Sequence, residues 1–363
     1  MIDFLNQYFP DTLEWGSTEI TLIVLIILVF ILLIIALLLG LMVIYLRYRN
    51  QAAYKRWSRL EKKWNGLINQ ILTGNMEPER LLKTVHKSEQ LYFIQYLMRF
   101  AERFSGKEMA IIEELARPML PAIVKRTVGG DPERRARAIQ TLSVLGFDEF
   151  SYAIVKGLDD PSPLVAMVAA RSLARQDYPE YIKFILPRLD RFENWSMNYF
   201  SSLLTSFGRD ALPDIRRTYQ DESQTIRTRV ACVSAMDNLS DLQGIEIAGE
   251  VITSTEDVEL LAASLRYIKK MGSHDLHDRV VSLVDHPDFI VRAHAISALA
   301  TIGSREDETR LMLGMGDESN WVAHHAVAAM KSLGMTRLLE AIADSNHPRR
   351  ELALQVLHEG DEG

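Results

Sequence analysis

The sequence has one cysteine, Cys232, so it cannot form an intramolecular disulfide, which suits a reducing compartment. It also lacks a CxxC pair, GxxxxGK[ST], GxSxG and a GxGxxG following a strand-like segment. The usual signatures of phosphate-loop enzymes, serine hydrolases and dinucleotide-binding enzymes are therefore missing. From these absences we predict no catalytic residue, no cofactor-binding residue and no cofactor.

Charge is missing from a long stretch near the N-terminus. Residues 20–46, from Ile20 to Leu46, are 27 residues without one charged side chain, and a spanning helix needs about 20. Residues 1–19 have four acidic side chains and no Lys or Arg, whereas residues 47–72 have seven basic side chains and one acidic. The positive-inside rule predicts a single-pass protein of the inner (cytoplasmic) membrane, with its N-terminus outside and its C-terminal domain in the cytoplasm. A cleaved signal peptide fits poorly because no basic segment precedes the apolar run.

The distal part of the chain is short of basic residues. Residues 240–363 contain 11 basic and 21 acidic side chains. Nucleic-acid binding requires clustered Lys and Arg, so we predict no nucleic-acid partner.

Helical segments recur every 31 or 32 residues along the C-terminal two thirds of the chain. We define the residue eight before each helix end as its anchor, and name each repeat by its anchor. The seven anchors are Ala138, Ala169, Phe200, Cys232, Ser264, Ala295 and Ala326. Apolar residues stand four positions after every anchor and seven positions after six of them, which predicts one buried helix face.

The ends of each repeat helix are also marked. Seven residues before the anchors stand Asp131, Ser162, Glu193, Thr225, Asp257, Asp288 and Ser319, mostly good N-cap types. Glycine stands eight residues after five of the anchors, which predicts a left-handed helix end. About 15 residues then separate one repeat from the next, enough for a turn and a second helix. We predict an all-α chain in which a single N-terminal transmembrane helix precedes a solenoid of about seven helix pairs.

The segments 131–146 and 286–303 carry a resemblance to the HEAT-repeat superfamily, particularly its short bacterial, phycobilin-lyase-like form. The resemblance implies a turn Asp and a helix Arg supporting each repeat, and Asp131 with Arg135 and Asp288 with Arg292 fit it. We predict an extracytoplasmic segment at 1–19, the span at 20–46, a basic juxtamembrane helix at 47–75, a helical lead-in at 76–124 and the solenoid at 125–363.

The juxtamembrane helix has an apolar stripe among basic residues, consisting of Trp57, Leu60, Trp64, Leu67 and Ile71. Either it contacts the membrane surface or a membrane partner, with Trp57 and Trp64 as contact residues, or it packs on the helices that follow. In the span, Ala36 and Gly40 form one small-xxx-small pair, which leaves homo-oligomerisation open.

Histidines are the candidates for enzyme chemistry. His294 and His325 occupy equivalent positions 31 residues apart and are candidate metal ligands. HEAT-like di-iron hydroxylases have His-Glu pairs there, but Ala follows both histidines here, so we predict no metal site. The pair His274-Asp275, with His277 and Asp278 nearby, resembles the doublet of HD phosphohydrolases. The alternative is that all of these are ordinary polar residues of the repeat.

Trp195 and Trp321 stand five residues before their anchors and are candidate contacts for a protein partner. A helical solenoid offers an extended binding surface, so we expect a membrane-anchored scaffold or adaptor that positions a membrane-associated protein. The arrangement is similar to bacterial inner-membrane proteins, which implies an envelope-polysaccharide, export or signalling complex. The alternatives are a metal-dependent HEAT-type enzyme and a lyase-like chaperone subunit.

Overall fold

The computed structural model describes residues 17–175, 177–192 and 195–358, and all regular secondary structure in these ranges is helical. The chain divides into two compact units, residues 1–115 and 116–363. The first unit contains α1 (Ser17–Leu72), α2 (Pro78–Leu82), α3 (Gln90–Ala101) and α4 (Lys107–Ala116), which ends at the boundary.

The second unit contains the other sixteen α-helices of the described residues. They are α5 (Leu120–Val124), α6 (Pro132–Leu145), α7 (Phe147–Gly157), α8 (Pro163–Leu173), α9 (Ile182–Ile185), α10 (Met197–Thr205), α11 (Leu212–Gln220), α12 (Ile226–Asn238), α13 (Ile245–Ser254), α14 (Val258–Met271), α15 (His277–Val281), α16 (Phe289–Ile302), α17 (Glu308–Met315), α18 (Asn320–Ser332), α19 (Thr336–Ala343) and α20 (Arg350–His358).

Helix α1 is a single uninterrupted helix of 56 residues. Its segment Leu22–Tyr48 is long and apolar enough to cross a membrane, and none of that segment is buried against the rest of the chain. The acidic residues Asp3, Asp11 and Glu14, which supported the predicted orientation, lie outside the described residues.

In the second unit, two kinds of helix alternate. The helices that carry the anchors are α6, α8, α10, α12, α14, α16 and α18, and we call them the anchor layer. Helix α6 packs on α8, and the helices from α10 to α18 each pack on the next anchor helix. The intervening helices form a second layer, and short 3-10 turns such as Arg209–Ala211 and Arg305–Asp307 lead into several of them. All seven anchors are buried, as are all seven residues four positions further on. The predicted solenoid of helix pairs is confirmed.

The predicted helix starts are partly correct. Asp131, Thr225 and Asp257 accept hydrogen bonds from backbone N–H groups three residues later, as N-caps do. Glu193 lies outside the described residues, and α10 is capped by Ser196 instead. Ser162 makes no side-chain cap bond, because its loop is held by Asp160, which accepts a bond from the Ser162 N–H.

The predicted left-handed helix ends occur only in part. Gly208, Gly272 and Gly334 have φ near +75°, whereas Gly146 and Gly303 do not. Helix α7 begins directly after Gly146, so the chain does not need a left-handed turn there. Gly146 still packs closely, since a Cβ there would lie 2.4 Å from Cδ1 of Leu120 and the leucine side chain would have to shift.

Arg135 and Arg292, at equivalent positions of their repeats, each join successive repeats through a bidentate ion pair. Arg135 donates from Nε and Nη2 to the two carboxylate oxygens of Asp160, each at 2.8 Å. Arg292 makes the same pair of bonds to Asp317, at 2.8 and 3.0 Å, and these bonds hold the pKa of Asp317 below its usual value. The arginine therefore reaches the turn of the next repeat, and not the Asp of its own repeat. Asp131 and Asp288 act as N-caps instead.

Candidate interaction surface

Trp321 lies at the centre of an exposed aromatic cluster on the anchor layer. Its side chain is 41% exposed, and its ring centroid is 6.1 Å from that of Phe289, which is 45% exposed. Phe289 begins α16 and Trp321 lies in the first turn of α18, so the parallel stacking of the two helices brings them together. The predicted contact residue Trp321 is thus accessible. Phe289 did not emerge from the sequence, although a Phe directly after the N-cap Asp288 was a signal.

His294 and His325 both contact Trp321, with ring centroids 5.4 and 5.6 Å from the indole. Burial, together with nearby Arg266, His325 and Lys269, lowers the pKa of His294 to about 4. Burial and Lys269 also lower the pKa of His325. Both imidazoles are therefore neutral near pH 7, and they serve as polar walls that hold the indole in place.

The same geometry bears on the metal candidates. The Trp321 ring contacts both His294 and His325, and the neighbouring charged groups that act on the two imidazoles are cationic. The described residues contain no group of three or more His, Cys, Asp or Glu side chains that could hold a metal ion. A hard metal ion prefers carboxylate ligands, and no carboxylate of the described chain is among the groups that shift the pKa of either histidine.

The other histidines singled out in the sequence bond neighbouring repeats together. His277 Nε2 lies 3.0 Å from both carboxylate oxygens of the buried Asp307, and His274 Nδ1 lies 2.9 Å from the carbonyl of Ile302. Burial opposes protonation of His277, but its bonds to Asp278 and Asp307 outweigh burial and raise its pKa. These contacts account for His274 and His277 as structural residues of the solenoid.

Cys232, an anchor, is completely buried, and burial raises the pKa of its thiol. A protonated thiol without solvent access has neither the reactivity nor the exposure of a nucleophile.

Trp195 belongs to an aromatic cluster that is mostly internal. Its ring stacks on Phe192 at 4.1 Å and meets Tyr199 edge to face at 5.0 Å, and its backbone carbonyl accepts a hydrogen bond from Arg227. The residue is half-buried, so it presents less surface than Trp321. This cluster fills the interior of the Phe200 repeat.

The apolar stripe of α1 packs inside the first unit. Trp64 is completely buried, and its ring lies 4.9 Å from Phe93 of α3 in an edge-to-face contact. Trp57 is half-buried, 5.6 Å from Tyr92, with the Arg99 guanidinium 4.5 Å above its ring. The stripe therefore packs on the helices that follow it, as one of the two interpretations predicted. Of the two tryptophans, only Trp57 keeps a solvent-exposed part that another molecule could contact.

These features define a class: an all-helical repeat solenoid that follows a long apolar N-terminal helix. Residues 245–331 match the family model for HEAT repeats, so this part of the solenoid consists of HEAT repeats. No curated protein matches the chain in sequence.

Solved structures with similar helical architecture include the complex of CpcE and CpcF of phycocyanin lyase from Nostoc sp. PCC7120. It is 16% identical, the match covers 67% of this chain and 88% of that chain, and the TM-score is 0.30. The karyopherin Kap121p bound to the SUMO protease Ulp1p is 11% identical over 75% of this chain and 41% of that chain, with a TM-score of 0.41. Neither likeness carries information about function at these values.

Proposed function

We propose that this chain is a membrane-anchored scaffold that binds a membrane-associated protein through the solvent face of its anchor layer. The N-terminal helix is the anchor, and the basic segment after it faces the cytoplasm, so the solenoid works at the cytoplasmic face of the inner membrane. The proposed role is binding and positioning, not catalysis.

The exposed pair Phe289 and Trp321 is the observation that carries this proposal. Two large aromatic side chains, each more than two fifths exposed, sit side by side on a well-packed helical face. Aromatic residues held in this way are enriched among residues that dominate the energy of protein interfaces. Because the flanking imidazoles restrain the Trp321 ring, a partner would bind it at a small cost in side-chain entropy.

The continuity of α1 supports the membrane part of the proposal. At 1.5 Å per residue, Trp57 lies about 14 Å along the helix from Tyr48, the last residue of the apolar segment. The packed part of the first unit thus starts close to the membrane surface. Anchoring confines the protein to a thin layer, where its effective concentration for membrane-associated partners rises.

Site-specific photocrosslinking in native membranes tests this proposal. A benzophenone amino acid replaces Trp321 in the full-length protein, and in a matched control it replaces Tyr152, which is 62% exposed on the second-layer helix α7. A third protein carries the Trp321 substitution but lacks residues 20–46.

We expect position 321 to crosslink one membrane-associated protein that position 152 does not reach, and we expect the anchorless protein to lose that crosslink. Equal capture from both positions, or capture that persists without residues 20–46, would contradict the proposed function.

A further inference from the structure

A groove of about 970 Å³ crosses the anchor layer between α12 and α14, with residues of α10 and α16 at its two ends. Its floor is formed by side chains that are short or apolar. The floor residues are Ser201, Val230, Ser234, Val258, Ala262 and Ile290. The groove exists because Ser201, Ser234 and Ala262 are too short to fill the space between neighbouring helices.

The rim of the groove is acidic. Four carboxylates line it, those of Asp237, Glu256, Asp257 and Glu259, against one guanidinium, that of Arg266. The Asp237 carboxylate is neutralised by the Lys270 ammonium at 3.0 Å. Asp257 is the N-cap of α14, and its carboxylate accepts a hydrogen bond from the Leu260 N–H at 2.9 Å.

Glu256 and Glu259 are different, because both side chains are exposed and neither has an ion-pair partner within the described ranges. Two uncompensated carboxylates therefore stand beside an apolar floor. Since Asp237 is already paired, the groove has an excess of negative charge, which attracts cations.

The shape of the groove favours an extended segment of polypeptide. It runs across four neighbouring helices, and helices pack about 8–10 Å apart, so its length is on the order of 25–30 Å. At about 3.3 Å per residue, an extended segment of roughly eight residues fills that length. In such a segment side chains alternate, so apolar residues can point to the floor while Lys or Arg residues meet the rim.

We propose that this groove binds an extended partner segment in which Lys or Arg residues alternate with aliphatic ones. The proposal rests on the scaffold function proposed above and names the chemistry of the partner. The groove and the Phe289–Trp321 pair both lie on the anchor layer, so one partner chain can contact both.

The test measures binding of a labelled eight-residue peptide, alternating Lys and Val, to the full-length protein in phosphatidylcholine nanodiscs, with empty nanodiscs as background. The double variant Glu256→Gln/Glu259→Gln removes the two unpaired charges while keeping side-chain size. Its matched control, Glu306→Gln/Glu308→Gln, removes two exposed charges next to the second-layer helix α17. A third variant, Ser234→Trp, fills the groove without changing its charge.

We expect the groove variant to weaken binding about tenfold, and to reduce the effect of salt, because two exposed ion pairs contribute roughly 1 kcal/mol or slightly more together. The control should bind like the wild type, and Ser234→Trp should abolish binding. A peptide with Glu in place of Lys should not bind. Equal weakening by groove and control variants, or no change with either, would overturn the proposal.

Sedimentation of the same proteins tests a second copy as the occupant, because the basic segment between Arg47 and Lys63 has similar chemistry. Dimers that disappear in the groove variant would overturn the proposal of a separate partner. The proposed function is tested independently: a persistent Trp321 crosslink without peptide binding refutes only the groove, whereas peptide binding without a membrane partner refutes only the scaffold.

Discussion

Two regions of the solenoid pack their helices differently. One consists of the regular Ala138 and Ala295 repeats, and the other is the middle of the solenoid, the Phe200, Cys232 and Ser264 repeats. In the two regular repeats, the arginine three residues before the anchor bonds the next turn, as Arg135 does with Asp160. In the Cys232 repeat the corresponding arginine is Arg229, which donates to the carbonyl of Tyr219 instead. Arg229 is almost completely buried, and its Nη2 has no hydrogen-bond partner.

The two regions also differ in the residue of the second-layer helix that faces the anchor layer. Nineteen residues after their anchors, the regular repeats have Gly157 and Gly314, whereas the Phe200 repeat has Tyr219. A Cβ on Gly157 would lie 2.5 Å from Cδ1 of Ile139, so the second-layer helix touches the anchor helix there. Tyr219 is completely buried, and its hydroxyl lies 2.7 Å from Oγ of Ser264.

Close contact through glycine and a bidentate ion pair characterise the regular repeats. The middle relies more on buried bulk and tyrosine hydroxyls, beside an ion pair between Arg216 and the buried Asp241 at 3.1 Å. The Tyr267 hydroxyl donates another hydrogen bond, to the carbonyl of Asp241. The groove opens in this middle region. The repeats that depart from the regular sequence pattern are therefore also the ones that carry the groove.

The largest expected effect comes from removing the bulk in the middle. Tyr219→Ala should lower the free energy of unfolding by about 3–5 kcal/mol, because it leaves a cavity between the layers. Tyr219→Phe keeps the ring and should cost only about 1 kcal/mol, since Ser264 still donates to the Leu260 carbonyl at 2.7 Å. Urea unfolding of the full-length protein in detergent measures both. Equal losses for the two variants would show that the hydroxyl, and not the bulk, supports the middle.

The two arginines provide a direct test of the ion-pair difference. Arg292→Met should cost about 2 kcal/mol, because it removes charge-assisted bonds to Asp317 and leaves the carbonyls of His286 and Pro287 without their donor. Arg229→Met should cost less, about 1 kcal/mol, because it removes a single bond to the Tyr219 carbonyl and no ion pair that the described residues contain.

The same unfolding measurement serves both arginine variants, and each removes one positive charge, so net charge cannot explain a difference. A larger loss for Arg229→Met than for Arg292→Met would reverse the comparison between the regular repeats and the middle.

Much of this fold could be predicted from the sequence because buried apolar residues recur at the same position in every helix pair. Leu142, Leu299 and Met330 recur four residues after their anchors, and a recurring apolar position needs no knowledge of the partner helix. The ion pairs could not be predicted in the same way. Arg135 has an aspartate four residues before it and another 25 residues after it, and only the stacking of the repeats decides between them.

Less of the candidate interaction surface could be predicted from the sequence. Both Trp321 and Trp64 were candidate contact residues, but Trp321 is 41% exposed and Trp64 is completely buried. Its neighbours on α3 determine this, and they are 29 or more residues away in the chain. The groove depends on Ser201, Ser234 and Ala262, which occupy different positions relative to their anchors, so no periodic pattern reveals it.

The smallest expected effect lies at the junction between the middle and the regular C-terminal repeats, where His277 of α15 meets Asp307. The pKa of His277 is raised in the folded protein, so its ion pair stabilises the fold fully below the ordinary histidine pKa of 6.5. That contribution is lost as the pH rises through the raised pKa. Since the His277 side chain is 30% exposed, we expect a loss below about 1 kcal/mol between pH 6 and pH 8.

Unfolding at pH 6, 7 and 8 checks this, comparing the wild type with His277→Gln and with His358→Gln, an exposed histidine at the end of α20. His277→Gln should flatten the pH dependence, while His358→Gln should keep it. If His277→Gln retained the wild-type slope, packing and not charge would hold this junction. A flattened slope would show that a charged contact between His277 and Asp307 helps to join the middle to the C-terminal repeats.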